Sequence, residues 1–500
     1  MNTVIMDDAP LPQRRFRKRW ILWLIVAAWA AIGLWNTTRP MAPGTDVDGA
    51  AVTIEAADVQ FLSDLTYSDS QGRQVYEQRI FDEIFRLVDA AESFVIADFF
   101  LFNDQMGAAN PAHRRLSREL ADHLIARKAA RPNLAVLVIT DPINDVYGGA
   151  RSGLFDELRH AGIEVVLTDL SPLRDSNPVY SSLWRTLAQW WGNAPSGGSL
   201  DNPFDNGPSR VTLRSWLALL NFKANHRKLI VADRQDATLV ALVTSANPHD
   251  ASSGHSNVAL RFTGTAALQL VESELAIARF SGWPGHIYAS SPTAPQVDAA
   301  NAVQLKFVTE SAIREHLLGA IDAARNGDAV RIATFYLADR KIVNALLGAA
   351  ARNVNVRLIL DPNRDAFGRQ KDGVPNRPVA NELVTKGAGK IEVRWYRTHG
   401  EQFHTKLALV TRSGRLIASL GSANLTRRNL GNYNLEANMA LECTVNAPPA
   451  VAMLGYFDRL WDNDGAVGAE YTAPFGAYED TDSGRYWRYR IMEATGMSTF

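Results

Sequence analysis

Five hundred residues exceed what one small domain needs, and two domains are the natural expectation. With 46% hydrophobic and 21% charged residues the composition is that of an ordinary globular protein, and a net charge of −1 offers no global basic surface for nucleic acid. The single cysteine, Cys443, excludes an intramolecular disulfide and disfavours a cysteine-based zinc site.

In chain order, the first element is a basic cluster, RRFRKRW from Arg14, which runs into WILWLIVAAWAAIGLW at 20–35. A helix over that apolar stretch spans roughly 24 Å, and the NTT that follows extends it toward the ~30 Å hydrocarbon core. Trp20, Trp23, Trp29 and Trp35 suit the two interfaces of a membrane. A cleaved signal peptide would share the charge and the apolar run, but no A-x-A site precedes a polar mature start. The stretch reads as a transmembrane signal-anchor over 20–38. Residues 1–19 are then a cytoplasmic basic N-terminus, and the rest lies on the extracytoplasmic, periplasmic side of the inner membrane.

Beyond the anchor the chain repeats itself. LVDAAESFVIADFFLFND at 87–104 returns as AIDAARNGDAVRIATFYLAD at 320–339. NLAVLVITDPINDVYGG from Asn133 returns as NVNVRLILDPNRDAFG from Asn353, each an apolar strand ending in Asp-Pro. GIEVVLTD from Gly162 matches KIEVRWYR from Lys390, HRKLIVAD from His226 matches HTKLALVT from His404, and VTSANPHD from Val243 matches LGSANLTR from Leu420. Helix-like and β-branched segments alternate within each copy, so the fold class is α/β: two tandem domains with mixed, largely parallel sheets flanked by helices, related by a pseudo-twofold axis. The expected domains are 50–290 and 300–475, with a Pro/Ser/Ala-rich seam near 288–302 and a C-terminal tail over 476–500. Asp141 and His226 lie 85 positions apart, Asp361 and His404 only 43. The first half therefore carries an insertion at about 170–220, rich in Trp and Arg.

The repeated blocks hold the chemistry. In a strand, residues two apart share a face, so His226 and Lys228 point the same way, as do His404 and Lys406. Each pair is followed by a Ser and an Asn, at Ser245 and Asn247 in one half and Ser422 and Asn424 in the other. Two histidines can divide a reaction between nucleophile and acid, while lysines, asparagines and serines supply charge and hydrogen bonds to an anionic phosphoryl group. No metal or other cofactor is required.

These residues resemble the phospholipase D superfamily, whose signature is HxKxxxxD followed by GSxN. His226, Lys228 and Asp233 fit the first element in full, while the second copy has Thr411 in the aspartate's place. GSAN at 421–424 fits the later element, and the first half has TSAN. The resemblance covers roughly residues 75–465. It implies cleavage of a phosphodiester through a covalent phosphohistidine, with Asp233, Ser245 and Ser422 in supporting roles. It also implies an acidic residue after the second element that supports a histidine of the opposite half. Glu436, twelve positions after Asn424, would then hold His226, whereas Ala259, twelve after Asn247, would leave His404 without a carboxylate. That favours His226 as nucleophile and His404 as acid, then base. His249, Asp250, His255 and Asn257 lie near the first motif and could surround it.

A phospholipid is the expected substrate and a membrane the expected partner, because the chain carries its own tether. The insertion, with Tyr180, Trp184, Trp190, Trp191 and Trp216 among Arg174, Arg185 and Arg214, suits a headgroup-level surface; Trp184, Trp191 and Trp216 suit an internal core nearly as well. It is expected to cover the site and touch lipid through Trp190 or Trp191. With water as acceptor the reaction is that of a phospholipase D. A lipid alcohol gives a cardiolipin synthase-like phosphatidyltransferase. A nuclease of the same superfamily, which the charge disfavours, and a non-enzymatic tethered binding protein complete the alternatives; no nucleic-acid partner is expected.

Overall fold

The structure is a computed structural model that describes residues 13–105, 113–205, 207–290, 297–298, 301–366, 369–465 and 468–500. Residues 1–12 of the expected cytoplasmic segment and 291–296, 299 and 300 of the expected seam lie outside them.

Two sheets, of eight and nine strands, share one plan. The first runs, side by side, Val59–Ser68, Asn257–Thr263, Leu239–Thr244, Lys228–Asp233, Phe94–Phe99, Ala135–Thr140 and Glu164–Leu167. The second runs Ala302–Thr309, Ala437–Thr444, Arg415–Gly421, Lys406–Arg412, Ala329–Thr334, Asn355–Leu360 and Ile391–Tyr396. Each of these seven strands occupies the place of its counterpart in the other sheet.

Both sheets are mixed, but parallel pairing is confined to the last three strands of each series. There a helix links each strand to the next, Leu116–Ala130 and Gly153–His160 in one half and Arg340–Ala351 and Asn376–Lys386 in the other, long enough to carry the chain back across the sheet. The expectation of largely parallel sheets holds for those strands alone. The strands carrying the His-x-Lys motifs are joined to their neighbours by short turns, which force antiparallel hairpins. The tightest is Ser413-Gly414, both at positive φ (49° and 75°), as a two-residue hairpin turn demands.

Alternation assigns the two faces. Leu229 and Val231, like Leu407 and Leu409, point into a core between the sheets, shared with helices Ala266–Phe280 and Pro448–Asp462. Ile230 and Ala232, and Ala408 and Val410, point to the outer helices of their own halves. The sheets are thus buried on both faces, and the two halves are welded through one apolar layer.

The N-terminal helix, Gln13–Thr38, contains a run long and apolar enough to cross a membrane, Arg19–Thr38. The chain after it is stitched to both halves: in the first, Ser273 Oγ donates to the Gly44 carbonyl (2.8 Å) and Gln269 Nε2 to the Ala50 carbonyl (2.9 Å), and the second supplies a strand partner. The Gly49 N–H donates to the Phe307 carbonyl (2.9 Å), Asn432 Nδ2 donates to Asp46 Oδ2 (3.1 Å), and Val52–Glu55 pairs antiparallel with Ala302–Leu305. The stretch expected as a tail contains a helix, Ser483–Thr495, whose Tyr489 is buried in the second half.

Candidate active site

Lys228 pairs with Phe99 and Lys406 with Thr334, so each His-x-Lys motif enters its strand beside the carboxyl end of the first parallel strand. That end of an open α/β sheet is where ligands bind. The Asp-Pro repeats sit there too and aim the motif. Asp141 Oδ2 accepts the N–H of Asn225 (2.7 Å) and Asp361 Oδ2 that of Phe403 (2.8 Å), each the residue just before a histidine. Burial pushes both carboxyls up to about 7. The sequence displayed this repeat, but its backbone partners are visible only in the fold.

Each motif then crosses to the other half. Asn225 bridges Leu435 and Phe403 bridges Ser256; the His226 N–H donates to the Leu435 carbonyl (2.9 Å) and the Ser256 N–H to the Gln402 carbonyl (3.1 Å). These bridges set each histidine beside the residue that follows its partner strand's entry. His226 Nδ1 meets Glu436, 2.8 Å from Oε1 and 3.1 Å from Oε2. His404 Nδ1 meets Asn257 Oδ1 at 3.1 Å.

The counterpart of Glu436 is therefore Asn257, not Ala259. Ser422 Oγ donates to Glu436, and the Ala437 N–H donates back to Ser422 Oγ (2.9 Å). Ser245 Oγ donates to Asn257 Oδ1 (2.9 Å), and the Val258 N–H donates to Ser245 Oγ (3.0 Å). The loop from Asn424 to Glu436 contains the short helix Arg427–Leu430 and is two residues longer than its repeat, so equal counting from the asparagines lands two places late. His404 still lacks a carboxylate, but an amide fills the place. Asn429, on that extra turn, donates to the other Glu436 oxygen.

The remaining groups close the pocket symmetrically. Lys228 Nζ donates to the His226 carbonyl (2.6 Å) and Lys406 Nζ to the His404 carbonyl (3.0 Å). Phe100 lies 4.8 Å from the His226 ring and Phe335 5.4 Å from His404, centroid to centroid. Asn247 Oδ1 accepts the Leu101 N–H (3.1 Å), whereas Asn424 Oδ1 is buried without a partner among the described residues. Asp233 stands at the far end of its strand, where it accepts the N–H groups of Glu92, Ser93 and Phe94 at 2.8–3.2 Å; its carboxylate fixes a turn and touches no site group. His249 bonds to the Gln105 carbonyl (3.0 Å) and Asp250 to Ser117 (2.7 Å), both away from the histidine pair, while the His255 ring lies 5.9 Å from His404.

Burial lowers the pKa of His226 to about 4, against the pull of Glu436. His404 is driven well down by burial and then by Lys406, His255, Lys228 and His226. Burial also brings Lys228 down to about 7, and Lys406 falls well below its usual value through burial and Lys228. Burial raises the Glu436 carboxyl, but His226, Lys228 and Ser422 outweigh it and leave it lowered. A buried pocket with two lysines, two histidines and one carboxylate holds its cations at a cost that an anion would relieve.

Residues 317–461 match the family model described as "Cardiolipin synthase, PLD-like domain". The chain carries a phospholipase D-like domain in its second half. It is accordingly an enzyme of the phosphodiesterase or phosphatidyltransferase class. The phosphatidylserine synthase of Haemophilus influenzae Rd KW20 superposes with a TM-score of 0.55 at 11% identity, over 89% of this chain and 97% of its own, and shows the same fold. Nuc from Salmonella typhimurium, a phospholipase D family member, is 23% identical over 32% of this chain and 93% of its own, with a TM-score of 0.25. Among curated proteins none matches.

One residue that the sequence left unremarked ties this phospholipase D pocket to both halves. Arg227, between His226 and Lys228, is fully buried and donates to Glu274 Oε1 (2.9 Å) and across the seam to Glu310 Oε1 (3.1 Å). Glu310 Oε1 also accepts the backbone N–H of Glu436 (2.9 Å). In the matching place the Thr405 hydroxyl bonds to the Tyr456 hydroxyl (2.9 Å).

Proposed function

We propose that the chain is a membrane-anchored phospholipase D-type enzyme that cleaves a phospholipid phosphodiester through a phosphohistidine on His226. The observation that carries this reading is the unequal support of the two histidines, Glu436 against His226 and Asn257 against His404. A carboxylate on Nδ1–H fixes the tautomer, leaves the Nε2 lone pair free, and stabilises the positive charge the ring gains on bonding phosphorus. With its pKa lowered to about 4, His226 is neutral and nucleophilic at ordinary pH.

In the first step His226 Nε2 forms the N–P bond as the P–O bond to the leaving alcohol breaks, and His404 gives its proton to that oxygen. The bound phosphodiester anion supplies the opposite charge that raises the His404 pKa and keeps it protonated. In the second step neutral His404 takes a proton from water, the new O–P bond forms, and the N–P electrons return to His226. Lys228, Lys406, Asn247 and Asn424 hold the non-bridging oxygens, where charge changes most.

The apolar helix Arg19–Thr38 supports a lipid substrate. We place the catalytic halves on the extracytoplasmic side of the membrane, and a reporter fused after Phe500 that works only in the cytoplasm should be silent. A second reading differs only in the acceptor: a lipid alcohol replaces water, giving phosphatidyl transfer. The description of the matching family and the likeness to a phosphatidylserine synthase favour keeping it. Full-length protein in vesicles with labelled phosphatidylglycerol separates the two. Phosphatidic acid is the expected product, cardiolipin would establish transfer, and cleavage of DNA with no turnover of any phospholipid would overturn the lipid reading.

A further inference from the structure

The end of the apolar helix is not a free stalk. The Asp175 N–H donates to the Asn36 carbonyl (2.9 Å), and Arg174 Nε donates to the Arg39 carbonyl (2.7 Å). From there the insertion runs helically through Pro178–Leu183 and Trp184–Ala188. It turns back along the anchor: a Cβ on Gly33 would lie 2.8 Å from Ser182 Oγ and 3.5 Å from Pro178 Cβ. Gly33 lies within the span Arg19–Thr38, so between Asp175 and Ser182 the insertion heads toward the bilayer. Continuing at ~1.5 Å per residue, it carries Leu187 roughly 8 Å further, and the turn after Ala188 presents Trp190 and Trp191 at its end. Its outer residues Leu183, Leu187, Trp190 and Trp191 are all exposed, Trp190 to 76%. The alternative that Trp184, Trp191 and Trp216 form an internal core fails for Trp191, while Trp184 and Trp216 are half-buried.

A second apolar surface starts at the same place. The C-terminal helix Ser483–Thr495 ends at Gly496 (φ 73°), which packs on the insertion's root so closely that a Cβ there would lie 2.0 Å from the Ser176 carbonyl oxygen. Arg428 fastens the junction, donating to the carbonyls of Gly496 (2.8 Å) and Ser498 (2.7 Å) and to Ser176 Oγ (3.3 Å). One face of this helix is held down by Tyr489, whose hydroxyl donates to the Ala338 carbonyl (2.9 Å). Trp487 and Ile491, one turn apart, face outward and are each 61% exposed, flanked by Arg488 and Arg490.

We propose that the anchor helix, the insertion helix and the C-terminal helix form one collar seated in the interfacial zone of the lipid bilayer, with Trp487 and Ile491 as a second lipid contact. The inference rests on the membrane-anchored reading above. Aromatic and aliphatic residues with flanking arginines are what a helix lying in the headgroup boundary presents, and such helices bury their apolar face by ~5–10 Å. Three apolar elements meeting at one helix exit leave the bilayer as the apolar phase within reach of all of them. The collar also touches the site. Arg428 adjoins Asn429, which bonds to Glu436, so the junction of the collar lies one residue from a support of the histidine pocket.

Cys443 is buried, so single cysteines introduced elsewhere can be labelled in the full-length chain. Fluorophores at Leu24, Leu187, Ile491 and Gln235 would be placed in phospholipid vesicles containing spin-labelled lipid. The expected result is loss of fluorescence at Leu24, Leu187 and Ile491 and none at Gln235, at the end of its strand opposite the histidines. Quenching at Leu24 with Ile491 open to water would overturn the collar and leave the anchor intact. An Ile491 probe shielded from water yet unquenched would point to a second copy of the chain and overturn it equally. No quenching at Leu24 would reject the anchor itself. In parallel, Trp487→Ser with Ile491→Ser should raise KM several-fold for lipid in vesicles and leave kcat/KM for a short soluble diester unchanged; equal losses on both substrates would sink the lipid contact.

Discussion

The two halves share a strand order and a His, Lys, Ser and Asn apiece, yet they differ in the side chain that backs each histidine. Glu436 backs His226 and Asn257 backs His404, each delivered by the same bridge from the opposite half. Geometry is thus kept symmetric while charge is not. A carboxylate makes one imidazole a better home for positive charge; an amide orients the other without that benefit. In the proposed mechanism an acid that must release its proton and take it back is better served by the amide, and one substitution on a duplicated frame would divide the labour.

The most severe test of this difference is to remove each histidine in turn. His226→Ala should reduce turnover to background and show no covalent intermediate with any leaving group. His404→Ala should lose ~10²–10⁴-fold with an alkyl diester but still accept phosphorus from a diester of an acidic phenol, which departs without a proton. Quenched-flow trapping and mapping of the labelled peptide reads the outcome; a label on His404 would reverse the roles.

The supports come next. Glu436→Gln should slow formation of the intermediate on the order of 10³-fold. Asn257→Ala should cost roughly tenfold or less, since it removes orientation and no charge. The pH profile sharpens the contrast. Protonated His226 has no lone pair to offer, so kcat/KM falls as pH drops through about 4. Glu436 opposes the effect of burial on that ring, so its neutral replacement lowers the histidine pKa further and moves the acid limb to lower pH. A limb that stays put in Glu436→Gln would detach it from His226.

Stability should be asymmetric in the same direction. Arg227→Met leaves Glu274 and Glu310 buried without their cation and should cost ~3–5 kcal/mol in thermal unfolding. Thr405→Val, in the equivalent place, breaks one hydrogen bond and should cost ~1 kcal/mol. The smallest difference concerns the residue for which the signature's last letter stands. Asp233→Asn should lose ~1–3 kcal/mol with kcat intact, because three backbone donors lose a carboxylate far from the pocket. Thr411→Val should lie within ~0.5 kcal/mol of the parent protein.

Much of this frame is legible in the sequence because duplication writes each element twice. Matching blocks such as HRKLIVAD and HTKLALVT name the central strands, and their apolar runs declare burial on both faces. Pairing that crosses the halves is not legible, since β-propensity states no partner. Nothing in VTIE at 52–55 says that it belongs beside Ala302–Leu305. The displacement from Ala259 to Asn257 has a related cause: a loop's length is free to change where its ends are held, so spacing counted through it drifts. Arg227 escaped notice because a cation set between a histidine and a lysine has no local signal of its own. Its carboxylates come from residues 274 and 310, far along the chain.

The segment between the anchor and the first sheet has a mechanical consequence. From Asp46 to Glu55 it is laced by backbone and side-chain bonds to the second half, while Asn36 and Arg39 are held by the insertion. The tether therefore has no slack. In the proposed topology it behaves as a mast set in the deck and not as a mooring rope, with the height and bearing of the pocket fixed relative to the leaflet beneath it. Substrate must come by lateral diffusion within that leaflet, and an apposed membrane stays beyond its grasp however dense the substrate there.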